Sequence, residues 1–234
     1  MATSFNLFHL RPGAFWDIDL SDEVILNWFR ECDAVWLHDG DSAKPHAELT
    51  SGKCSNGYFD CPRVLKYPAL CEILAVQLAR KLKASGIRAD WVIGSAYAAI
   101  TFSYEVAKAM GAIHGAVEKD PSDPDQKKML WRRITIPPGA KVLQAEELIT
   151  TIGTTREVRR AVTEGNAEQV EFLPFVGTII HRPARLPMVY EGMEVVSLVE
   201  RAVWAVDPSE CPLCKAGSKR VKPKTHWAEL TGKA

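Results

Sequence analysis

Residues 141–157 read Lys141-Val-Leu-Gln-Ala-Glu146-Glu147-Leu-Ile-Thr150-Thr151-Ile152-Gly153-Thr154-Thr155-Arg-Glu157. An apolar run leads into two adjacent acids, a Thr/Gly-rich turn follows, and a charged helical segment begins. That order demands a strand, a loop and a helix, the repeating unit of α/β sheets. It also suits one task, holding a sugar phosphate. The acids accept hydrogen bonds from neighbouring ribose hydroxyls. The turn offers backbone N–H groups and Thr hydroxyls to a phosphate, and the helix points its positive end at the same anion. Thr154 and Glu157 have capping-box spacing, which predicts the helix start.

The same alternation extends along the chain. Strands are predicted at 91–94, 112–117, 141–145, 170–180 and 194–198, with helices at 101–110 and 154–164. Strands separated by helices predict an α/β fold, a doubly wound, mostly parallel sheet flanked by helices. Ligands in such sheets sit beyond the C-terminal strand ends. Gly94-Ser95, Lys119 and the acid pair all fall there. Residues 119–128 hold two prolines and three aspartates and predict a mobile loop. Ahead of this core, Ser21 opens a helix with Val24, Ile25, Trp28 and Phe29 on one face. A second helix runs from Pro68 to about residue 85, buries Leu70, Ile73, Leu74 and Leu78, and stops at Gly86. Residues 1–20, with Phe5, Leu7, Phe8, Leu10, Phe15 and Trp16, predict an extended arm. The expected division is an N-terminal arm, helix and small hood (1–66), a core (67–206) and a basic tail (207–234).

At 234 residues the chain suffices for one sizeable domain with additions. No apolar run reaches about 18 residues, so no membrane span is expected. The start, Met1-Ala-Thr-Ser-Phe-Asn, lacks the pattern of a secretory signal. Net charge is zero, which argues against a general nucleic-acid binder. Cysteines at 32, 54, 61, 71, 211 and 214 form no disulfide framework for a chain this long, which points to the cytoplasm and reduced thiols. Cys211-Pro-Leu-Cys214 has the spacing of half a zinc site, whose other half would come from Cys54 and Cys61 or from His226. A turn near the C-terminus is the simpler reading, so no protein-held metal is expected. Lys215, Lys219, Arg220, Lys222 and Lys224 read as a solvated basic tail.

Two further segments join the acid pair. One is Leu49-Thr-Ser51-Gly52-Lys53-Cys-Ser55-Asn-Gly-Tyr58-Phe59. The other is Phe175-Val-Gly-Thr-Ile-Ile180-His181-Arg182. With the Gly94-Ser95-Ala96 loop, they resemble the orotate branch of the type I phosphoribosyltransferases over roughly residues 46–182. The resemblance implies transfer of the ribosyl phosphate of phosphoribosyl pyrophosphate (PRPP) to a pyrimidine base, most simply orotate. Pyrophosphate leaves with Mg²⁺, in a homodimer. It implies that Glu146 and Glu147 hold the ribose hydroxyls. Thr150, Thr151, Gly153, Thr154 and Thr155 would cradle the 5′-phosphate. Ser95 and Ala96 would hold pyrophosphate, with Ser51, Gly52 and Lys53 beside it. Tyr58 and Phe59 would flank the base, Arg182 would contact orotate, and Lys119 would be the catalytic loop lysine.

The sequence departs from that family's pattern. Ile152 stands at a glycine place of the cradle, Glu147 replaces an Asp, Ala98-Ala99 replace a glycine pair, and His181 stands where an acid precedes the Arg. The loop around Lys119 keeps one of its usual cations, and Lys127 or Lys128 can supply another. Two alternatives stay open: a different base, and a non-catalytic PRPP or nucleotide sensor.

Overall fold

The computed structural model describes residues 10–233. Phe5, Leu7 and Phe8 lie outside them. In chain order the elements begin with α1 (Asp22–Glu31), β1 (Val35–Leu37), β2 (His46–Glu48), β3 (Cys54–Ser55), β4 (Gly57–Phe59), α2 (Cys61–Leu65) and α3 (Pro68–Ala84). Next come β5 (Trp91–Gly94), α4 (Ile100–Met110), β6 (Ile113–Ala116), β7 (Glu118–Lys119), β8 (Met129–Leu130), β9 (Lys141–Ile149) and α5 (Gly153–Gly165). The chain continues through β10 (Glu171–His181), β11 (Glu194–Glu200), β12 (Ala205–Val206), α6 (Pro212–Lys215), β13 (Arg220–Val221) and α7 (Trp227–Thr231).

The central sheet has the order β11-β10-β9-β5-β6, and every pair in it is parallel. Parallel strands need both faces covered. On one face α3 and α4 bury Leu70, Ile73, Leu74, Leu78, Phe102 and Val106. On the other, α5 brings Val158, Ala161 and Val162 against Ile93 and Val142. This is the predicted architecture. Gly94 ends β5 where α4 crosses closest, and a Cβ there would collide with the Ser103 side chain.

Several local expectations are corrected. In α1 the buried residues are Ile25, Leu26, Trp28 and Phe29, while Val24 faces solvent. The arm over 10–20 is no extended strand. Pro12–Phe15 forms a short 3₁₀ turn, and the Gln77 amide clamps the arm by donating to Phe15 O and Ile18 O and accepting from Leu20 N.

Residues 118–130 are not without structure of their own. β7 and β8 pair as an antiparallel hairpin. Asp123 accepts from the N–H groups of Lys127 and Lys128, both at 2.7 Å, and so closes the connection. The capping box does not form either. Helix α5 has Ile152 as its N-cap with no side-chain cap. Glu157 instead accepts from Met129 N at 2.8 Å, which holds the base of the hairpin against α5.

The segment after 206 is no solvated tail. β12 pairs with β3 and β13 with β2, giving a second sheet of order β12-β3-β2-β13. Cys211, Val221 and Leu230 are buried, and the lysines point outward. No helix among the described residues is long and apolar enough to cross a membrane.

Candidate active site

The C-terminal ends of β5 and β9 and the β7–β8 hairpin surround a cleft of about 590 Å³. Its walls are Ser95, Ala96, Tyr97 and Ala98 after β5, Lys119, Lys127 and Lys128 of the hairpin, and Glu147, Thr151, Gly153 and Thr154. Three separated stretches thus meet where they were expected to meet.

The two acids divide their work. Strand β9 runs on through both to Ile149, so their side chains point to opposite faces. Glu146 is only 3 % exposed. Its carboxylate accepts from Ser95 Oγ and from Gln144 Nε2, each at 2.6 Å. Burial, reinforced by the charge of Glu147, raises its pKa to about 8. Glu147 lines the cleft, and its carboxylate has no hydrogen bond or ion pair to another of the described residues. Burial raises its pKa as well. Glu147 thus faces the cleft, and Glu146 holds Ser95 from within the sheet.

That arrangement has a stability consequence. Between the ordinary carboxylate pKa and about 8, folded Glu146 keeps a proton that the unfolded chain has lost. Wild type should therefore lose stability across that window relative to Glu146→Gln, by on the order of a few kcal/mol. Urea unfolding midpoints at pH 5 and pH 8.5 check this. Parallel pH dependence in the two proteins would refute it.

The start of α5 forms the part of the cleft expected to face a phosphate. The backbone N–H groups of Gly153, Thr154 and Thr155 lack intrahelical partners at a helix start, and none has another partner among the described residues. Ile152 does not obstruct them. Its φ is −84°, so no glycine is required. Its side chain is buried against Ile149 and Val176, away from the cleft. Thr155 is buried beneath the turn, and Thr150 is half-buried outside the cleft wall.

Lys119 points into the cleft. Strand alternation sends its neighbour Glu118 outward to pair with Arg133. Lys119 Nζ donates to Gln126 O at 2.7 Å, and its charge reaches Glu146.

On the base side, Arg182 follows β10 and is anchored by its N–H to Ile149 O at 2.8 Å. Its guanidinium has no hydrogen bond or ion pair among the described residues, and its Nε is buried without a partner. Burial lowers its pKa, and the neutral Cys61 thiol and Tyr58 phenol are ionisable groups beside it. Tyr58, half-buried on β4, is thus beside Arg182, and burial pushes its phenol pKa up and keeps it neutral. Phe59 is not part of this wall. Alternation along β4 turns it into the core, with its ring 6.1 Å from that of Phe29.

His181 is 1 % exposed, with its ring bonded to Glu200 at 2.6 Å and Tyr190 at 3.0 Å. It sits inside the sheet, committed to those two partners. Ser51, Gly52 and Lys53 form the exposed tip between β2 and β3, with Gly52 at φ +79°, outside the cleft wall.

Two residues were missed from the sequence. Gln144 holds Glu146, and Cys61 donates to Glu147 O at 3.4 Å. The period-2 relation of Gln144 to Glu146 on one strand was the available signal for the first.

Searched against models of protein families, the chain matches none. Among curated proteins it is 34% identical over 189 residues to the orotate phosphoribosyltransferase of Desulforamulus reducens, spanning 81% of this chain and 93% of that protein. It is 35% identical over 190 residues to the orotate phosphoribosyltransferase of Pelotomaculum thermopropionicum, spanning 81% and 94%. The solved orotate phosphoribosyltransferase of Aeropyrum pernix superposes with a TM-score of 0.55 at 17% identity, over 75% of this chain and 93% of that one. Leishmania donovani UMP synthase gives 0.54 at 18% identity, over 76% and 36%. These two likenesses show the fold. With a third of its residues shared along most of its length and that fold around this cleft, the chain belongs to the orotate phosphoribosyltransferase family.

Proposed function

We propose that the chain transfers the ribosyl phosphate of PRPP to orotate, forming the nucleoside monophosphate and pyrophosphate. The observation that carries the choice of base is Arg182, a half-buried guanidinium with no anion of its own beside Tyr58. A guanidinium fork pairs with a carboxylate through two parallel hydrogen bonds. Orotate carries such a carboxylate. The ring of the base then lies along Tyr58.

At the other end, the N–H groups of Gly153, Thr154 and Thr155 take the 5′-phosphate, with the Thr151 and Thr154 side chains at the rim. The loop of Ser95 and Ala96 faces pyrophosphate. The Ser95 hydroxyl is committed to Glu146, so this loop offers its backbone. Glu147 accepts from the ribose hydroxyls and stabilises positive charge at C1′. Orotate reacts as its N1 anion, having given its N1 proton to water; the N1–C1′ bond forms as the C1′–O bond breaks, and the bonding pair leaves with pyrophosphate. Lys119 meets that departing charge. The protein orients the reactants and supplies fixed charge.

Mg²⁺ fits this cleft. A hard divalent ion takes one or two carboxylates together with substrate phosphates, and Glu147 is a carboxylate free of protein partners. When bound with PRPP it would neutralise pyrophosphate oxygens. The family resemblance also implies a homodimer and a cytoplasmic enzyme. The exposed Tyr104 and Ile113 beside an apolar groove lined by Leu65, Pro68 and Ile100 support a partner surface.

Purified protein with Mg²⁺, PRPP and orotate should consume the orotate absorbance band and release pyrophosphate. Turnover with another base alone would retain the class and replace the substrate. Binding of PRPP with no turnover on any base would favour a sensor. Glu147→Gln should weaken PRPP binding roughly tenfold or more, the worth of a charge-assisted hydrogen bond. Glu146→Gln should weaken it less, because its contacts are internal. Calorimetric titration of both variants decides the order.

A further inference from the structure

The second sheet contains a group of side chains that transfer chemistry does not use. His46 of β2, Cys54 of β3, and Cys211 and Cys214 at α6 bring their four ligand atoms within 4.8 Å of one another. The Cys54 and Cys214 sulfurs are 3.6 Å apart. His46 Nε2 lies 3.6 Å from Cys211 Sγ and 3.4 Å from Cys214 Sγ. A tetrahedral ion with Zn–S near 2.3 Å and Zn–N near 2.0–2.1 Å separates its ligand atoms by about 3.5–3.8 Å. The spacing is that of a coordination shell.

We propose that His46, Cys54, Cys211 and Cys214 bind one structural Zn²⁺ that fastens the C-terminal segment to the β2–β3 hairpin.

The surroundings of the imidazole support this independently. Ser218 Oγ donates to Lys44 O at 2.6 Å, so its proton is committed. It therefore accepts from His46 Nδ1–H, at 2.8 Å. That fixes the tautomer and leaves the Nε2 lone pair aimed at three sulfurs. An outer hydrogen bond of this kind is what metal-bound histidines have. The backbone N–H of Cys214 also donates to Cys211 Sγ at 3.4 Å, which suits a charged thiolate. His46, Cys54 and Cys211 are buried, and all six cysteines are free of disulfides. Three thiolates and one imidazole with no place for water describe a closed zinc site.

The sheet around the cluster needs such a fastening. Its apolar core consists of Ala47, Val221 and Leu230 with Trp36 against them. A core so small supplies little stability alone, and structural metals substitute for it. The segment that the ion holds continues into α7. There Trp227 lies under the Arg63 guanidinium at 4.9 Å and 6.2 Å from the Tyr58 ring. The zinc thus braces the outer side of the Tyr58 wall. Cys61 and His226, which the sequence offered as ligands, belong elsewhere. Cys61 bonds Glu147 O, and His226 bonds Thr225.

The test is metal analysis of the full chain, expressed with zinc and purified with its thiols reduced. One zinc per chain is expected, with Cys54→Ser and Cys214→Ser falling toward none and Cys71→Ala retaining it. Wild type freed of metal and reloaded with Co²⁺ should show the strong thiolate charge-transfer and tetrahedral bands of a sulfur-rich site. That readout does not depend on the variants folding. Less than a tenth of an equivalent of zinc in wild type, cobalt spectra without thiolate bands, or full zinc retention in a Cys54→Ser/Cys214→Ser double variant would each overturn the proposal. Failure of orotate turnover leaves it untouched, since metal content is read without substrate.

Discussion

Lys119→Ala should lower kcat about 100- to 1,000-fold, the usual cost of removing one group aimed at developing charge, while PRPP affinity changes little. The lysine stands on the inward face of β7, and among the described residues its Nζ donates only to Gln126 O. Its strongest partner therefore arrives when pyrophosphate begins to leave. An interaction made chiefly in the transition state lowers kcat and not binding. Lys127 and Lys128 line the same cleft. Lys127 is already paired with Asp125 at 3.0 Å, which makes Lys128 the informative comparison. Steady-state kinetics beside direct PRPP titration decide the matter. Wild-type kcat in Lys119→Ala with a collapse in Lys128→Ala would move the role along the hairpin. Silence in both would remove the hairpin from catalysis.

Arg182→Ala should cost roughly 100-fold in kcat/KM for orotate. A hydrogen bond to a charged group is worth about 1.5–3 kcal/mol, and a bidentate pair makes two. PRPP affinity measured without base should stay within about threefold, because the guanidinium lies beside Tyr58 and Cys61, not beside the phosphate turn. Folding should improve or stay level, since the substitution removes a half-buried charge without a partner. A variant that loses PRPP and orotate equally would show that Arg182 supports the whole site and does not read the base.

The parallel sheet was legible because its strands are apolar runs and its helices have clear stops, such as Gly86 with φ +76° after α3. Strand length was not. The run from Lys141 was expected to end at Ala145, because Glu146 and Glu147 look like loop residues. A buried Gln144–Glu146–Ser95 group lets β9 continue through them, and no local propensity reports a partner 51 residues away. With the strand continued, Glu146 and Glu147 point to opposite faces of the sheet. The placement of Phe59 failed for a related reason: Tyr58 and Phe59 were taken as a pair, whereas a strand separates neighbours to opposite faces. Arg182 and Lys119 were singled out because motif order carries more than composition. His46 was missed because nothing near it in sequence resembles a ligand motif. Only the pairing of β13 with β2, residue 220 against 46, brings the Cys-x-x-Cys turn to it.

The bond from Met129 N to the Glu157 carboxylate ties the second turn of α5 to the strand opposite Lys119. Two ends of one substrate thereby act on a shared lever. On the proposed reading, a phosphate seated at Gly153–Thr155 fixes the posture of the hairpin through that bond, so the lysine is already in place when the pyrophosphate charge develops. The grip on substrate in its resting state then stays with the helix, and the hairpin adds its share only as the bond to C1′ breaks.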